Sequence, residues 1–271
     1  MLKAKNKLHQ ILGRHYKWLY IILFYQKREM KYKINNIVWS LTMIGYVGSI
    51  TFVYYFANKS IFSEVVEYMF YTHILFLMAN PWINLDLSNR IFEGKLTADL
   101  LSPTHVFWKY IFAFVGRNNL AYNIISIPSI IIFWLFIRQY LTTTITFENF
   151  ILTIPMVIIG YFIYYCIGFM IGSVAFWVNR TDAVNEFLYM IRGILRGDIV
   201  MLSITSLYWQ GILIQPFAFV GYHAFKILTS KYSQIETIGT FIVAIFWCIV
   251  LFILSRIIFK FGLKHYEAVG L

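Results

Sequence analysis

Long apolar segments alternate with short polar ones along the chain, and most of the apolar segments are long enough to cross a membrane. A transmembrane helix needs about 20 predominantly apolar residues to span the hydrocarbon core. The pattern therefore predicts an all-α integral membrane protein with six transmembrane helices. The predicted spans are residues 37–57, 65–85, 120–137, 150–178, a fifth segment that starts near residue 183, and 238–259.

The fifth segment and the stretch after it depart from a simple apolar run. Charged residues interrupt the fifth segment in the sequence MIRGILRGDIVML, which begins at Met190. Residues 203–230 are again apolar but contain Gly211, Pro216 and Gly221. Irregular backbone is tolerated at membrane depth only where protein or water covers it. We therefore expect a short re-entrant or interfacial helical hairpin before the last span.

The segment before the first span, residues 1–36, is rich in Lys and Arg. Within it, apolar residues such as Leu8, Ile11 and Leu12 recur at helical spacing, while Lys7 occupies another face. This periodicity predicts an amphipathic helix that lies on the membrane surface, with its cations near anionic headgroups. A solvated basic tail is the alternative that the pattern leaves open.

Composition and charge agree with a membrane protein. Hydrophobic residues make up 60% of the chain, and the formal net charge is +11. In a soluble protein this charge would suggest nucleic acid, but here the Lys and Arg residues lie mainly in short segments between apolar runs. Basic loops of membrane proteins are retained in the cytoplasm. We therefore predict contact with lipid rather than nucleic acid, and a multi-pass protein of the cell membrane with both termini cytoplasmic.

The resulting division of the chain has three parts. Residues 1–36 form the cytoplasmic amphipathic segment, residues 37–260 form the transmembrane domain, and residues 261–271 form a cytoplasmic tail. No phosphate-binding loop and no hydrolase motif occurs in the sequence. The two cysteines, Cys166 and Cys248, lie inside apolar runs without the spacing of a metal site. The sequence therefore predicts no catalytic site, metal or cofactor in this chain.

The loop between the second and third spans, residues 86–109, is unusual because its central part displays apolar residues where water is expected. Its central part, from Arg90 to Leu101, is consistent with one short helix that ends at Ser102 and Pro103. Apolar side chains displayed in this way suit either a protein partner or the bilayer surface. Composition does not distinguish these two possibilities.

Two short motifs resemble those of a known family, the type-2 ABC exporter permeases. The first is Phe92-Glu-Gly-Lys-Leu96 followed by Leu100-Leu-Ser-Pro103, which resembles the family's E-G-x-L-x-x-x-L-L-x-P loop. The second, Gly262-Leu-Lys-His-Tyr266 followed by Gly270, is similar to its closing G-L-x-x-Y-x-x-x-G element.

In that family the loop forms a coupling helix that docks into a cleft on the ATP-hydrolysing subunit. The resemblance therefore implies that residues 90–103 contact separate ABC ATPase subunits, which would bind the ATP and Mg²⁺. It also implies a second permease subunit, identical or related. The residues assigned to ATPase coupling on this basis are Arg90, Glu93, Gly94, Leu96, Leu100, Leu101 and Pro103.

Polar residues inside the predicted spans are candidates for a translocation path, because charge at the bilayer centre is costly and usually faces protein or water. One group is expected on one face of the second span, and the other is in the fifth span. Hydrogen bonds between helices are the alternative for the first group, and pairing of the arginines with Asp198, Glu186 or lipid phosphate is the alternative for the second. The candidates are His73, Asn80, Asn84, Arg192, Arg196 and Asp198.

Together these features predict a non-catalytic transport subunit. The resemblance implies an exporter that moves an amphiphilic substrate, such as a drug, a peptide or a lipid-linked molecule, out of the cell with ATP hydrolysed elsewhere. An ion-coupled secondary transporter or a channel is the alternative. Those proteins usually contain an internal repeat and intramembrane carboxylates; no repeat is evident here, and only Glu186 and Asp198 are candidates.

Overall fold

The computed structural model describes residues 16–57, 61–78, 84–117, 123–178, 181–197 and 214–266. Within these ranges the chain is helical and contains no strand, in agreement with the all-α prediction. In chain order the α-helices of these ranges are α1 (Tyr16–Glu29), α2 (Lys33–Ala57), α3 (Phe62–Met78), α4 (Asn84–Phe92), α5 (Leu96–Leu100), α6 (Val106–Phe114), α7 (Asn123–Ile137), α8 (Phe147–Ser173), α9 (Asp182–Arg196), α10 (Ala224–Leu228) and α11 (Gln234–Gly262).

Two helices of the described ranges are long and apolar enough to cross a membrane. They are α8 with the 3-10 turn that follows it, Phe147–Phe176, and α11 with its own 3-10 turn, Gln234–His265. Shorter apolar helical stretches lie at Val47–Phe56 and Ile124–Tyr140. Helices α2, α3, α7 and α9 begin in or near the other predicted spans. The length and apolar composition of α8 and α11 agree with the predicted fourth and sixth spans, and the total of six spans stays a prediction.

Helix α9 differs most from a plain apolar span. It has 15 residues and is amphipathic, with Phe187, Met190 and Ile194 exposed along one side. The helix ends at Gly197, whose φ of 87° lies in the left-handed region. Glycine is the usual residue at this position after a helix because it has no Cβ to clash there. The charged interruption seen in the sequence therefore coincides with the end of the helix.

The two long helices start at well-defined caps. The side chain of Ser233 accepts a hydrogen bond from the backbone N–H of Glu236, and the Glu236 carboxylate accepts one from the backbone of Ser233. This reciprocal arrangement satisfies amide groups that the first turn leaves without helical partners. The side chain of Thr146 likewise accepts from Asn149 N at the start of α8. Local sequence thus defines where each of these helices begins.

An aromatic core joins α6, α8 and α11. The buried ring of Phe107 lies edge-on to Tyr165 and Phe169, with ring centroids 4.9 and 5.0 Å away, and to Phe252 at 5.4 Å. The Tyr165 hydroxyl also donates a hydrogen bond of 2.5 Å to the carbonyl oxygen of Phe107. Edge-to-face aromatic pairs contribute beyond their buried area. The start of α6 is therefore held firmly against both long helices.

The predicted hairpin at residues 203–230 lies partly outside the described residues. From residue 214 onward it forms a 3-10 turn at Pro216–Ala218, a π-helical turn at Phe219–His223, and α10. The side chains of Phe219 and Phe225 are fully buried, and this segment packs against α3 and α8. Its irregular backbone is thus covered by protein, and the re-entrant or interfacial hairpin stays a prediction.

The N-terminal helix α1 packs along α6. The Trp18 and Phe112 rings lie 4.8 Å apart, and the backbone of α1 passes very close to Gly116. A Cβ added at Gly116 would lie 2.1 Å from the carbonyl oxygen of Ile22, so only glycine permits this approach. Residues 1–15, which carry much of the predicted amphipathic pattern, lie outside the described residues. The predicted position on the membrane surface stays a prediction.

Candidate functional site

The predicted coupling segment, residues 86–109, contains two helices joined by a turn, and the prediction of a single helix from Arg90 to Leu101 is wrong. Helix α4 ends at Phe92, and Gly94 has a φ of 69°, a left-handed conformation that glycine adopts without steric cost. Two backbone hydrogen bonds close the turn, from Glu93 N to Asn89 O at 2.8 Å and from Gly94 N to Ile91 O at 3.2 Å. Helix α5 then starts at Leu96, so the chain changes direction at Gly94.

Asp99 is the centre of a charged network that holds the two parts of the segment together. Its carboxylate is buried and accepts hydrogen bonds from Arg90 Nε at 2.5 Å and from the second Arg90 nitrogen at 3.0 Å. It also accepts from Lys109 Nζ at 2.7 Å and from the Tyr110 hydroxyl at 2.9 Å. These partners belong to α4 and α6, so one side chain on α5 links all three helices.

The network keeps Asp99 ionised. Burial by itself would raise the pKa of this carboxyl, but the hydrogen bonds from Lys109, Arg90 and Tyr110 outweigh it and hold the pKa below its ordinary value of 3.8. Asp99 carries 3% side-chain exposure, against 37% for Arg90 and 22% for Lys109. A buried carboxylate with two cationic partners is therefore a fixed structural charge at neutral pH.

The C-terminal end of the described chain contacts the same turn. The Tyr266 hydroxyl donates a hydrogen bond of 2.8 Å to the carbonyl oxygen of Gly94 and accepts one of 3.2 Å from the backbone N–H of Thr97. The Tyr266 ring lies edge-on to Phe176, which follows α8. Tyr266 of the second family motif thus lies against the turn in the first motif, at residues 92–103.

The proposed coupling residues divide into buried anchors and an exposed tip. Leu96 is fully buried, and Arg90 forms an ion pair with Asp99. Leu101 is 82% exposed, and Leu100 and Phe92 are 41% and 38% exposed. Pro103 is also exposed, and Glu93 forms a solvent-exposed ion pair of 2.6 Å with Lys95. The surface available to a partner is therefore apolar and is presented by a rigid base.

A polar cavity of about 260 Å³ lies beneath this segment, between α1, α4 and α6. Tyr25 and Arg28 from α1 line one wall, and the ring of Tyr25 stacks under the Arg28 guanidinium at 4.7 Å. Arg117 forms an ion pair with Asp86 on the other side. The N-terminal helix α1 thus packs close to the coupling segment and lines the same cavity.

The structure describes only some of the translocation-path candidates. Asn80 and Asp198 lie outside the described residues, and Asn84 begins α4, where its side chain is not described. His73 on α3 lines a small cavity together with Ser40, Ser126 and Ser129. The hydroxyl oxygens of Ser40 and Ser129 lie 3.0 Å apart, within hydrogen-bond distance.

Arg196 lies close to the same helix. Its guanidinium sits 3.5 Å above the centroid of the Phe76 ring, one turn along α3 from His73, and its side chain is 8% exposed. Arg192 precedes it by one turn of α9. The fold therefore brings His73, from one predicted group, and Arg196, from the other, to one region. Its role in a translocation path stays a prediction.

Sequence reasoning missed Asp99, Lys109 and Tyr110. The spacing gave only a weak signal: Asp99 lies nine residues after Arg90 and ten before Lys109, but the loop also contains Asp86, Glu93 and Lys95. Such spacing does not identify an ion pair unless the chain reverses direction between the partners, and the reversal at Gly94 was not predicted. The place of Tyr266 likewise depends on contacts between distant parts of the chain.

Comparison with known proteins identifies the family. The chain matches no curated protein and no solved structure. The family model described as ABC-2 family transporter protein matches residues 37–270, which include the coupling segment, both long apolar helices and Tyr266. Proteins of this family are membrane-embedded permeases that associate with an ABC ATPase. Because the match covers most of its length, the chain belongs to the ABC-2 transporter family and is a permease component of an ABC transporter.

Proposed function

We propose that this chain is the non-catalytic transmembrane subunit of an ABC exporter and that residues 90–103 dock onto a separate ATPase subunit. In this proposal two permease subunits, identical or related, enclose the route, and both termini lie in the cytoplasm. The ATPase subunits bind ATP and Mg²⁺. The substrate class that the family resemblance favours is amphiphilic: a drug, a peptide or a lipid-linked molecule leaving across the cell membrane.

One observation carries the proposal, namely the exposed apolar tip on a rigid base. Leu101 is 82% exposed although its side chain is apolar. An apolar side chain displayed in this way gains free energy when a partner covers it, about 25 cal/mol per Å² of apolar surface removed from water. The charged network of Asp99 keeps the tip in place before a partner arrives, so less ordering cost accompanies docking.

The same contacts supply a route for mechanical coupling. A displacement of the tip acts on α4 through the turn at Gly94, on α6 through Lys109 and Tyr110, and on the end of α11 through Tyr266. Helix α4 in turn packs extensively along α8. Movement of a docked ATPase subunit would therefore reach both long apolar helices rather than bend a flexible loop.

The test is co-purification of this chain with the ATPase encoded beside it, followed by ATP hydrolysis with and without the permease. We expect a stable complex whose hydrolysis rate depends on both chains. A well-folded permease that neither binds the ATPase nor alters its hydrolysis would contradict the proposal and favour an ion-coupled transporter.

The docking surface is tested by the double variant L100D/L101D. Two carboxylates at the exposed tip should abolish ATPase association while membrane insertion and thermal stability stay unchanged, because neither side chain is part of the core. The matched control is I235D, which places an acid at a side chain that is 83% exposed in the first turn of α11. Retention of the complex by L100D/L101D would show that the tip is not the docking surface.

A further inference from the structure

A groove of about 780 Å³ runs between the end of the coupling segment and the last turns of α11. Its walls are largely apolar and include Val106, Ile257 and Leu263. The outer face of α11 beyond the groove is exposed and apolar, with Ile253 and Phe261 half exposed. Because α11 is one of the two helices long and apolar enough to cross a membrane, this exposed face suits lipid chains, and the groove opens next to it.

Two cations lie at the groove without a carboxylate partner among the described residues. Arg256 and Lys260 are four residues apart on α11 and therefore share one face. None of the described residues that line the groove is acidic. The described ion pairs all involve other cations. A cation at the end of a membrane helix is most stable when an anion neutralises it, since lipid offers little solvation.

Arg256 is held in place by neutral groups. Its two terminal nitrogens lie 3.2 and 3.0 Å from the ring nitrogens of His105, and its guanidinium carbon lies 5.8 Å from the centroid of the Phe107 ring. Burial and the neighbouring Arg256 charge both lower the pKa of His105 below its ordinary value of 6.5. His105 is therefore uncharged at neutral pH and orients the guanidinium without balancing its charge.

We propose that this groove binds an anionic phospholipid, with the headgroup phosphate between Arg256 and Lys260 and one acyl chain along the apolar wall toward the exposed face of α11. Charge complementarity selects an anionic headgroup over a zwitterionic one, because each juxtamembrane cation favours a negative surface. The apolar wall selects a lipid over a free phosphate ion. The site adjoins the coupling segment, and a bound lipid would brace its Pro103–Val106 end against α11. This site does not depend on the ATPase partner.

The test is native mass spectrometry of the full chain purified in detergent with equal amounts of phosphatidylglycerol and phosphatidylcholine, beside thermal unfolding in each lipid. We expect retention of phosphatidylglycerol over phosphatidylcholine and a higher melting temperature with phosphatidylglycerol. The variant R256Q/K260Q should lose most of this preference, with the affinity for phosphatidylglycerol falling about fivefold for each charge removed, the effect of one cation near an anionic surface. The control K31Q removes an exposed charge away from the groove and should retain the preference.

Three results would overturn the proposal. Equal retention of both lipids by the wild type would exclude headgroup selection. The same stabilisation by sodium phosphate alone would show that no acyl chain is needed. Unchanged lipid retention in R256Q/K260Q together with weaker binding of the ATPase subunit would assign the groove to the docking surface. If R256Q/K260Q is poorly folded, the single variant K260Q decides, because Lys260 is exposed and outside the packed core.

Discussion

The Tyr266 hydroxyl and the Gly94 carbonyl oxygen are 2.8 Å apart, although 172 positions separate the two residues along the chain. This hydrogen bond joins the end of α11 to the turn at which the coupling segment reverses. A second bond, from Thr97 N to the same hydroxyl, fixes the start of α5 as well. The hydroxyl of Tyr266 therefore connects the last apolar helix to the segment that we propose contacts the ATPase.

The variant Y266F tests this connection. It removes the two hydrogen bonds to backbone atoms and a third, of 3.1 Å, to the Thr97 hydroxyl, and leaves the ring packed edge-on against Phe176. We expect a loss of about 2 to 3 kcal/mol in unfolding free energy, since each net hydrogen bond contributes about 1 kcal/mol. We also expect weaker stimulation of ATP hydrolysis by the permease. Y32F, at a tyrosine that is 61% exposed, is the matched control. Normal stimulation in Y266F would mean that the bond is only structural.

The charged network around Asp99 is tested by D99N, which keeps the shape of the side chain and removes its charge. Two partly buried cations then lose their counter-charge, and we expect a loss of about 2 to 4 kcal/mol in unfolding free energy, reduced from the fully buried case by the exposure of Arg90. E93Q, which breaks only an exposed pair, should change stability by less than about 1 kcal/mol.

A double-mutant cycle separates the network from general damage at this site. If Arg90 and Asp99 interact directly, the double variant R90Q/D99N should be less destabilised than the sum of the two single variants. We expect a coupling free energy of at least about 1 kcal/mol, measured by thermal or chemical unfolding in detergent. Simple additivity would contradict a direct interaction.

The pH dependence of stability follows from the lowered pKa of Asp99. Its ionised form is favoured in the folded protein, so its contribution is fully present well above the ordinary pKa of 3.8 and is lost as pH falls through the lower folded pKa. The stability difference between wild type and D99N should therefore be constant near neutral pH and shrink in acid. Unfolding of both proteins across this pH range measures the difference. If the difference is the same at all pH values, ionisation of Asp99 does not stabilise the folded protein.

The turn at Gly94 is tested by two substitutions that differ in their tolerance of a positive φ. G94A should cost about 1 kcal/mol or more in unfolding free energy, because alanine is strained at a φ of 69°. G94N should cost less, since asparagine enters the left-handed region more readily than other residues with side chains. Equal stability of the two variants would indicate that the turn rearranges.

The contact between α1 and the region after α6 is tested by G116A. The new Cβ would meet the backbone oxygen of Ile22, which cannot move aside by rotating a side chain, so α1 must shift. We expect a loss of about 1 to 3 kcal/mol and faster proteolysis of the N-terminal segment. G45A, where nothing lies within 4 Å of an added Cβ, should be neutral or slightly stabilising.

The membrane class, the helical fold, the two longest helices and the family could all be predicted from the amino-acid sequence, and the role of residues 90–103 in ATPase coupling stays a prediction. These properties depend on local features: the length of apolar runs, the 3.6-residue period, and caps such as the one at Ser233. The family motifs at residues 92–103 and 262–270 are also local strings. A contiguous stretch of sequence is sufficient for each of these inferences.

Only the tertiary structure decided which of these sequence segments contact one another. The break at Gly94 turned one expected helix into two, and that reversal brought Arg90 and Lys109 to Asp99. The fold then placed Tyr266 against the same turn and α1 against α6. Sequence alone could not decide these contacts, because an ion pair or a hydrogen bond forms only where the backbone places donor and acceptor within about 3 Å. That placement depends on how all the helices pack together.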